Sequence, residues 1–209
     1  ILDGMATLQN RMGLSAEAAT SFAQSAMLSG KSVNQLKLDA IGSAAAVERE
    51  RGTRLDIRGI LKETGTITGQ IRAQLGGSVE AISAAVAKAK SLGMELKGVA
   101  AAGQQLLNFE QSISAELEAE LLTGRQINLE RARLAALTGD YSTLTEEINA
   151  NVGDFYEFSK LNVLQQDALA KSVGMTSDQL SDQLLQKADL NKLAQQARDE
   201  GRDDIAKNL

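Results

Sequence analysis

The chain of 209 residues contains no proline, no cysteine, no histidine and no tryptophan. Proline inside a helix removes a hydrogen bond and clashes with the preceding turn, at a cost of roughly 3 kcal/mol. Its absence leaves long helices unopposed. Without cysteine there are no disulfides and no thiolate ligands. Histidine is the usual base and metal ligand near neutral pH, so its absence removes most catalytic designs. The di-metal site of helical bundles, which pairs Glu with His three residues on, is among them. Aromatic residues are only 3% of the chain. A core therefore rests on Leu, Ile, Val and Ala, and alanine buries little area per residue at roughly 25 cal/mol per Å². Such a core points to self-association, or to packing inside a larger assembly, to supply the missing burial.

Charge excludes further classes. The net charge is −5 and the pI about 4.9, with Lys and Arg interspersed among Asp and Glu. A nucleic-acid binder driven by phosphate contacts needs the opposite balance. No run approaches the roughly 18 uncharged apolar residues of a transmembrane helix. The chain opens at Ile1 without an initiator methionine, and no signal pattern follows. The expectation is a segment of a longer protein.

What is present reads as helix. Ile82, Val86, Ala89, Leu92, Leu96 and Val99 recur at steps of three or four, and so do Leu106, Phe109, Ile113, Leu117 and Leu121. Thr64 to Gly69 is the one stretch with some strand character. The breaks follow a recipe in which a glycine ends one helix and a hydroxyl two residues later caps the next. Gly30-Lys31-Ser32 with Gln35 and Gly174-Met175-Thr176 with Gln179 also place Gln where it completes a capping box. Met175 and Leu180 stand at staple positions around the second cap. Thr143 with Glu146 after Gly139, and Gly13 with Ser15, are looser versions. The spacing predicts helices near 3–12, 15–29, 32–50, 53–75, 78–92, 95–123, 125–138, 143–152, 155–173, 176–187 and 189–208. These group into N-terminal helices (1–76), a long helical region (77–138), a helix-joint-helix region with an aromatic cluster (139–188) and a polar terminal helix (189–209). The fold expectation is all-α, amphipathic helices in an elongated or helical-hairpin arrangement, oligomeric. No fixed period indicates a solenoid, and no heptad is sustained enough for a long coiled coil.

Few constellations suggest chemistry. Gly30-Lys31-Ser32 resembles the end of a phosphate loop. The first glycine of that pattern is replaced by Ser25 and no strand precedes it, so a helix cap is the better reading. Glu110, Glu116, Glu118, Glu120 and Glu130 surround one helix and, without histidine, read as a solvated charged face. Glu48-Arg49-Glu50-Arg51 with Arg54 and Arg58 alternates in sign and carries little net field. Asp199, Glu200, Asp203 and Asp204 lack calcium-loop spacing. A Ser–Lys pair stays open, with no motif pointing to one. No catalytic, cofactor or metal residue is assigned, and no cofactor is expected. The candidate packing or interface residues are Phe109, Ile113, Leu117 and Leu121 on one stripe, and Phe155, Tyr156, Phe158 and Leu164 in the aromatic cluster.

The stretch Leu122 to Asp140 (LTGRQINLERARLAALTGD) resembles bacteriophage tail tape measure proteins, as do Asn162 to Leu180 (NVLQQDALAKSVGMTSDQL) and, upstream, Ile71 to Leu96. The similarity covers roughly residues 60–185 and rests on run-on likeness rather than on a catalytic motif. The resemblance implies a virion structural protein that sets tail length, present in several copies (a trimer is the candidate stoichiometry), lying in the tail lumen or tip until genome ejection. It implies contacts with itself, the tail tube and the baseplate hub or tip proteins. Some members of that family carry peptidoglycan-cleaving domains, but no such site is read in these residues, and the acidic balance argues against specific nucleic-acid binding; the resemblance implies synthesis in the bacterial cytoplasm. Two other classes compete: a helical cytoplasmic scaffold or signalling rod, and an all-helical enzyme or ligand-binding bundle. As one straight helix the chain would span roughly 310 Å, and the glycine joints decide whether it is such a rod or folds back into a plug.

Overall fold

The computed structural model describes residues 2–52, 54–67 and 69–199. Among them are 13 α-helices and no strand, so the chain is all-α. It divides into two compact units, the first built on Ile1–Ser91 and the second on Leu92–Leu193, so the expected 77–138 region is shared between them.

The first unit contains α1 (Leu2–Met12), α2 (Ala16–Ser29), α3 (Val33–Arg51), α4 (Ile57–Thr66), α5 (Gly69–Gln74) and α6 (Val79–Ser91). Its core is small-residue packing around a few large side chains: Ala18, Ala19, Ala23, Ala26 and Ala40 with Leu8, Phe22, Leu36 and Leu61. Small side chains allow close approach. A Cβ on Gly65 of α4 would stand 2.6 Å from the Cβ of Ala18 on α2. Polar ties hold the periphery: Lys88 to Glu50 at 2.6 Å, Lys90 to Glu63 at 2.9 Å, and the Arg72 guanidinium donating to Ser21 and Ser25 at 2.7 and 2.9 Å.

The second unit contains α7 (Leu96–Leu106), α8 (Phe109–Thr123), α9 (Glu130–Thr138), α10 (Tyr141–Val152), α11 (Phe155–Ser159) and α12 (Val163–Ser172), and α13 (Ser177–Asp199) begins in it. The chain folds back on itself here. Gln165, at the start of α12, donates to the Leu122 carbonyl at the end of α8 at 2.8 Å, and Lys171 near the end of α12 lies within electrostatic reach of Glu118. The two helices thus run side by side in opposite directions.

The expected joints are present where they depend on local chemistry. Ser15, Ser32 and Thr176 accept from the amides of Ala18, Gln35 and Gln179. Gly13, Gly30 and Gly174 are left-handed before them. The Gln179 side chain returns to the Thr176 amide and completes a capping box. Gln35 instead donates to Asp39, so the box at Ser32 stays half made.

Several expectations are corrected. The helix expected over 95–123 breaks at Leu107–Asn108, where the backbone tightens to an Asn108-to-Gln105 hydrogen bond. The 53–75 helix is α4 and α5, parted at Ile67, whose extended backbone ends α4. The strand-like Thr64–Gly69 stretch is helix through Thr66. The 155–173 helix is α11 and α12, because Asn162 and Gln165 form a capping box in its middle. The 125–138 helix begins only at Glu130. Thr143 does not cap α10; Asp140, directly after the left-handed Gly139, does, accepting from the Thr143 amide at 3.0 Å. No joint falls at residue 188, since α13 runs through it. Glu200, Asp203 and Asp204 lie outside the described residues.

One device occurs in both units. Glu48 accepts from the Leu55 amide at 2.6 Å across the left-handed Gly52, and Glu120 accepts from the Ile127 amide at 2.9 Å across the left-handed Gly124. In each, a glutamate four residues before the helix-ending glycine braces the exit loop seven residues on. The apolar side chain that follows, Leu55 or Ile127, is buried.

Candidate interaction surface

The orientation of α8 is decided by a charge. Arg133, on α9, is buried, and a buried cation is strongly destabilising unless paired. Its guanidinium pairs with Glu116 and donates through Nε to the Ser112 hydroxyl at 2.9 Å. The other Glu116 oxygen accepts from the Leu129 amide at 3.2 Å. These bonds turn Ser112 and Glu116 inward, and Ala119 is buried with them. Glu116 and Glu120 are therefore internal braces, half-buried, and not the solvated face expected of them.

With that face inward, the large residues point out. At 3.6 residues per turn, Leu117 and Leu121 stand about 140° and 180° from Ser112 around the helix, and Ile113 on the flank at about 100°. Phe109 and Ile113 are each 47% exposed, Leu117 60% and Leu121 85%. The apolar stripe anticipated from spacing is a real ridge of the helix, but it faces away from the unit's own core. Leu106, read as its first member, lies before the break and is buried.

The aromatic cluster divides. Phe158 is buried and belongs to the core, Phe155 is half-buried, and Tyr156 is exposed with the Lys160 ammonium 3.6 Å above its ring. Leu164 is exposed beside Val163 at the start of α12, and α9 adds exposed Leu134 and Leu137.

The loop between α8 and α9 and the start of α9 are tied to α10 and α11. Arg125 donates to the Val152 carbonyl and pairs with Glu157, both at 3.3 Å. Asn128 and Asn151 exchange hydrogen bonds of 2.9 and 3.1 Å. Arg131 pairs with Glu147 at 3.2 Å. The charges of the Leu122–Asp140 stretch thus hold the second unit together.

Chemistry is sparse elsewhere. An open groove of about 650 Å³ is lined by Gln105, Gln111, Glu118, Lys171, Met175 and Gln179. Lys171 is held by Asp167 at 2.6 Å, and that hydrogen bond raises its pKa above the usual lysine value. Lys31 is raised likewise, first by its hydrogen bond to Asp39. Protonated amines of this kind are in the wrong state to activate a serine. Among the described residues no group of three or more carboxylates is placed to hold a metal ion, and no helix is long and apolar enough to cross a membrane. The Gly30-Lys31-Ser32 turn is a helix cap whose lysine pairs with Asp39 and Glu80.

Comparison with known proteins adds no identity: no protein-family model matches the chain, and neither a curated protein nor a solved structure matches it. The fold itself defines an all-helical chain of two units, the second carrying an exposed apolar ridge on α8.

Proposed function

We propose that this chain is a structural, non-catalytic segment of a phage tail or tail-like particle, of the tape measure type, packed in the tail lumen or tip as folded helical units. The observation that carries the reading is the α8 ridge. The largest exposed apolar patch of a protein is often its binding surface, and Leu121 at 85% exposure beside Leu117 offers large side chains for a partner to cover. The sequence resemblance over residues 60–185 supports the tail as the assembly concerned. The folded-back path of the second unit favours a plug-like packing over a straight ruler for residues 109–172. A signalling rod would need apolar steps alternating between three and four, whereas the α8 ridge steps by four throughout.

Two measurements test this. Peptides of this chain should be recovered by mass spectrometry from purified tail particles assembled from the parent gene cluster; particles lacking them would overturn the reading. An in-frame deletion of residues 109–172 in the parent gene tests the packing. A straight helix predicts tails shortened by roughly 95 Å. The folded segment predicts full-length tails or failed assembly, with no proportional shortening.

A further inference from the structure

We propose that a cavity in the second unit, walled in part by Gln183, is a binding site for a small carboxamide that carries a positive charge. No residue of α8 lines this cavity, and its occupancy is independent of the assembly in which the chain is placed.

Three observations lead there. The first is an orphaned amide. Gln183, on α13, is 4% exposed, and neither its amide nitrogen nor its amide oxygen has a hydrogen-bond partner. Buried polar groups in folded proteins are nearly always paired, and an exception calls for a water, an ion or a ligand. The second is space. Gln183 lines a cavity of about 280 Å³ together with Gly93, Met94, Gly98, Val99 and Met175. At roughly 30 Å³ per water, that is far more room than the one or two waters an amide needs. It approaches the roughly 300 Å³ at which ligand sites begin. The two glycines contribute no side chain to fill it, and methionine adapts to the shape of a guest. The last torsion of a glutamine is soft, so the amide can turn to meet one. The third is complementarity. The Gln183 amide needs an acceptor and a donor side by side. A carboxylate supplies only acceptors and an ammonium only donors, whereas a carboxamide supplies both. A nucleobase edge also presents such a pair, but no aromatic side chain lines the cavity on which a base could stack. Glu95 and Asp182, both exposed, are the two charged residues of the wall, and neither is in an ion pair among the described residues. They repel a phosphate and attract a cation.

Leucinamide is the probe. Its carboxamide matches Gln183, its ammonium the two acids and its isobutyl group the methionines. It is titrated into the nitrogen-15-labelled 209-residue chain. The signals followed are the Gln183 side-chain amide, assigned by its loss in Gln183→Met, and the backbone amides of Gly93 and Gly98. Their shifts should saturate with a dissociation constant at or below about 1 mM. Leucine, with a carboxylate in place of the amide, and isoamylamine, which lacks it, should bind at least about tenfold more weakly, because each leaves Gln183 half paired or unpaired. Isocaproamide, the uncharged analogue, should also bind more weakly than leucinamide, and Glu95→Gln with Asp182→Asn should abolish that difference. Gln183→Met removes the amide at nearly constant volume. It should abolish leucinamide binding and raise the melting temperature of the unliganded chain, since an apolar group replaces an unpaired buried one. No saturable shift up to about 10 mM leucinamide would mean that water alone fills the cavity and would overturn the site. Leucine binding as tightly as leucinamide, or a Gln183→Met variant that melts below wild type, would overturn it as well.

Discussion

Removing the carboxylate of Glu116 should be among the most damaging single changes in the second unit. The Arg133 side chain is 8% exposed and that of Glu116 14%. Glu116→Ala strands a buried guanidinium with only the Ser112 hydroxyl, at a cost of about 3–5 kcal/mol. It also leaves the Leu129 amide without its acceptor, adding about 1 kcal/mol. The expected loss is about 4–6 kcal/mol. Glu116→Gln keeps acceptor capacity but not the charge, and should cost about half as much. The double change Glu116→Leu with Arg133→Leu removes both charges and should return to within about 2 kcal/mol of wild type, because an apolar pair needs no mutual compensation. Urea unfolding followed by tyrosine fluorescence is the assay. The chain has 2 tyrosines, Tyr141 and Tyr156, both in the second unit, so the signal reports that unit alone. Linear extrapolation then gives the free energies. A Glu116→Ala loss below about 1 kcal/mol, or a double variant as unstable as the single, would refute the claim that this pair orients α8.

Other outcomes follow from the joints. Gly174 has φ +76 and a Cβ there would stand 2.6 Å from the Ala102 carbonyl oxygen, whereas Gly30 at φ +68 has open space around it. Gly30→Ala should cost about 1–2 kcal/mol, the left-handed penalty alone. Gly174→Ala should cost roughly 2–5 kcal/mol, since backbone must also shift; equal melting temperatures for the two would contradict this. Partial burial pushes the Asp140 carboxyl up, but the Thr143 hydroxyl and amide, the Ser142 amide and the Arg131 charge together hold it below the usual range. A lowered folded pKa means that its stabilisation is present above the unfolded value near 3.9 and is lost as pH falls through the folded value. Asp140→Ala should therefore cost about 1 kcal/mol at neutral pH, and the gap to wild type should close in acid. A gap that widens between about pH 5 and pH 2 would show the sign to be wrong.

Much of the fold was legible because it is local. An absent proline, a left-handed glycine and a hydroxyl two residues on are enough to place the joints at Gly13, Gly30 and Gly174, since each cap is made within a few residues. What could not be read was decided across the chain. The outward turn of Phe109, Ile113, Leu117 and Leu121 follows from Arg133, 17 residues beyond Glu116 in sequence. No periodicity in α8 alone distinguishes a ridge facing a core from one facing away. A signal was present in Ser112, Ala115 and Ala119, small residues at helical spacing that suit close packing, but the larger side chains dominated the pattern. The Asp140 cap shows the same competition on a shorter scale. Two capping residues stand three apart, and the left-handed Gly139 immediately before Asp140 decides between them.

The return of α12 alongside α8 has a mechanical meaning. From Phe109 to Ser172 the chain travels out and comes back, so in the folded unit this stretch contributes width rather than length. Drawn out as continuous helix, the same residues would reach roughly 95 Å. The unit is thus a spool of contour length, wound by an arginine, two glutamates and a handful of alanines.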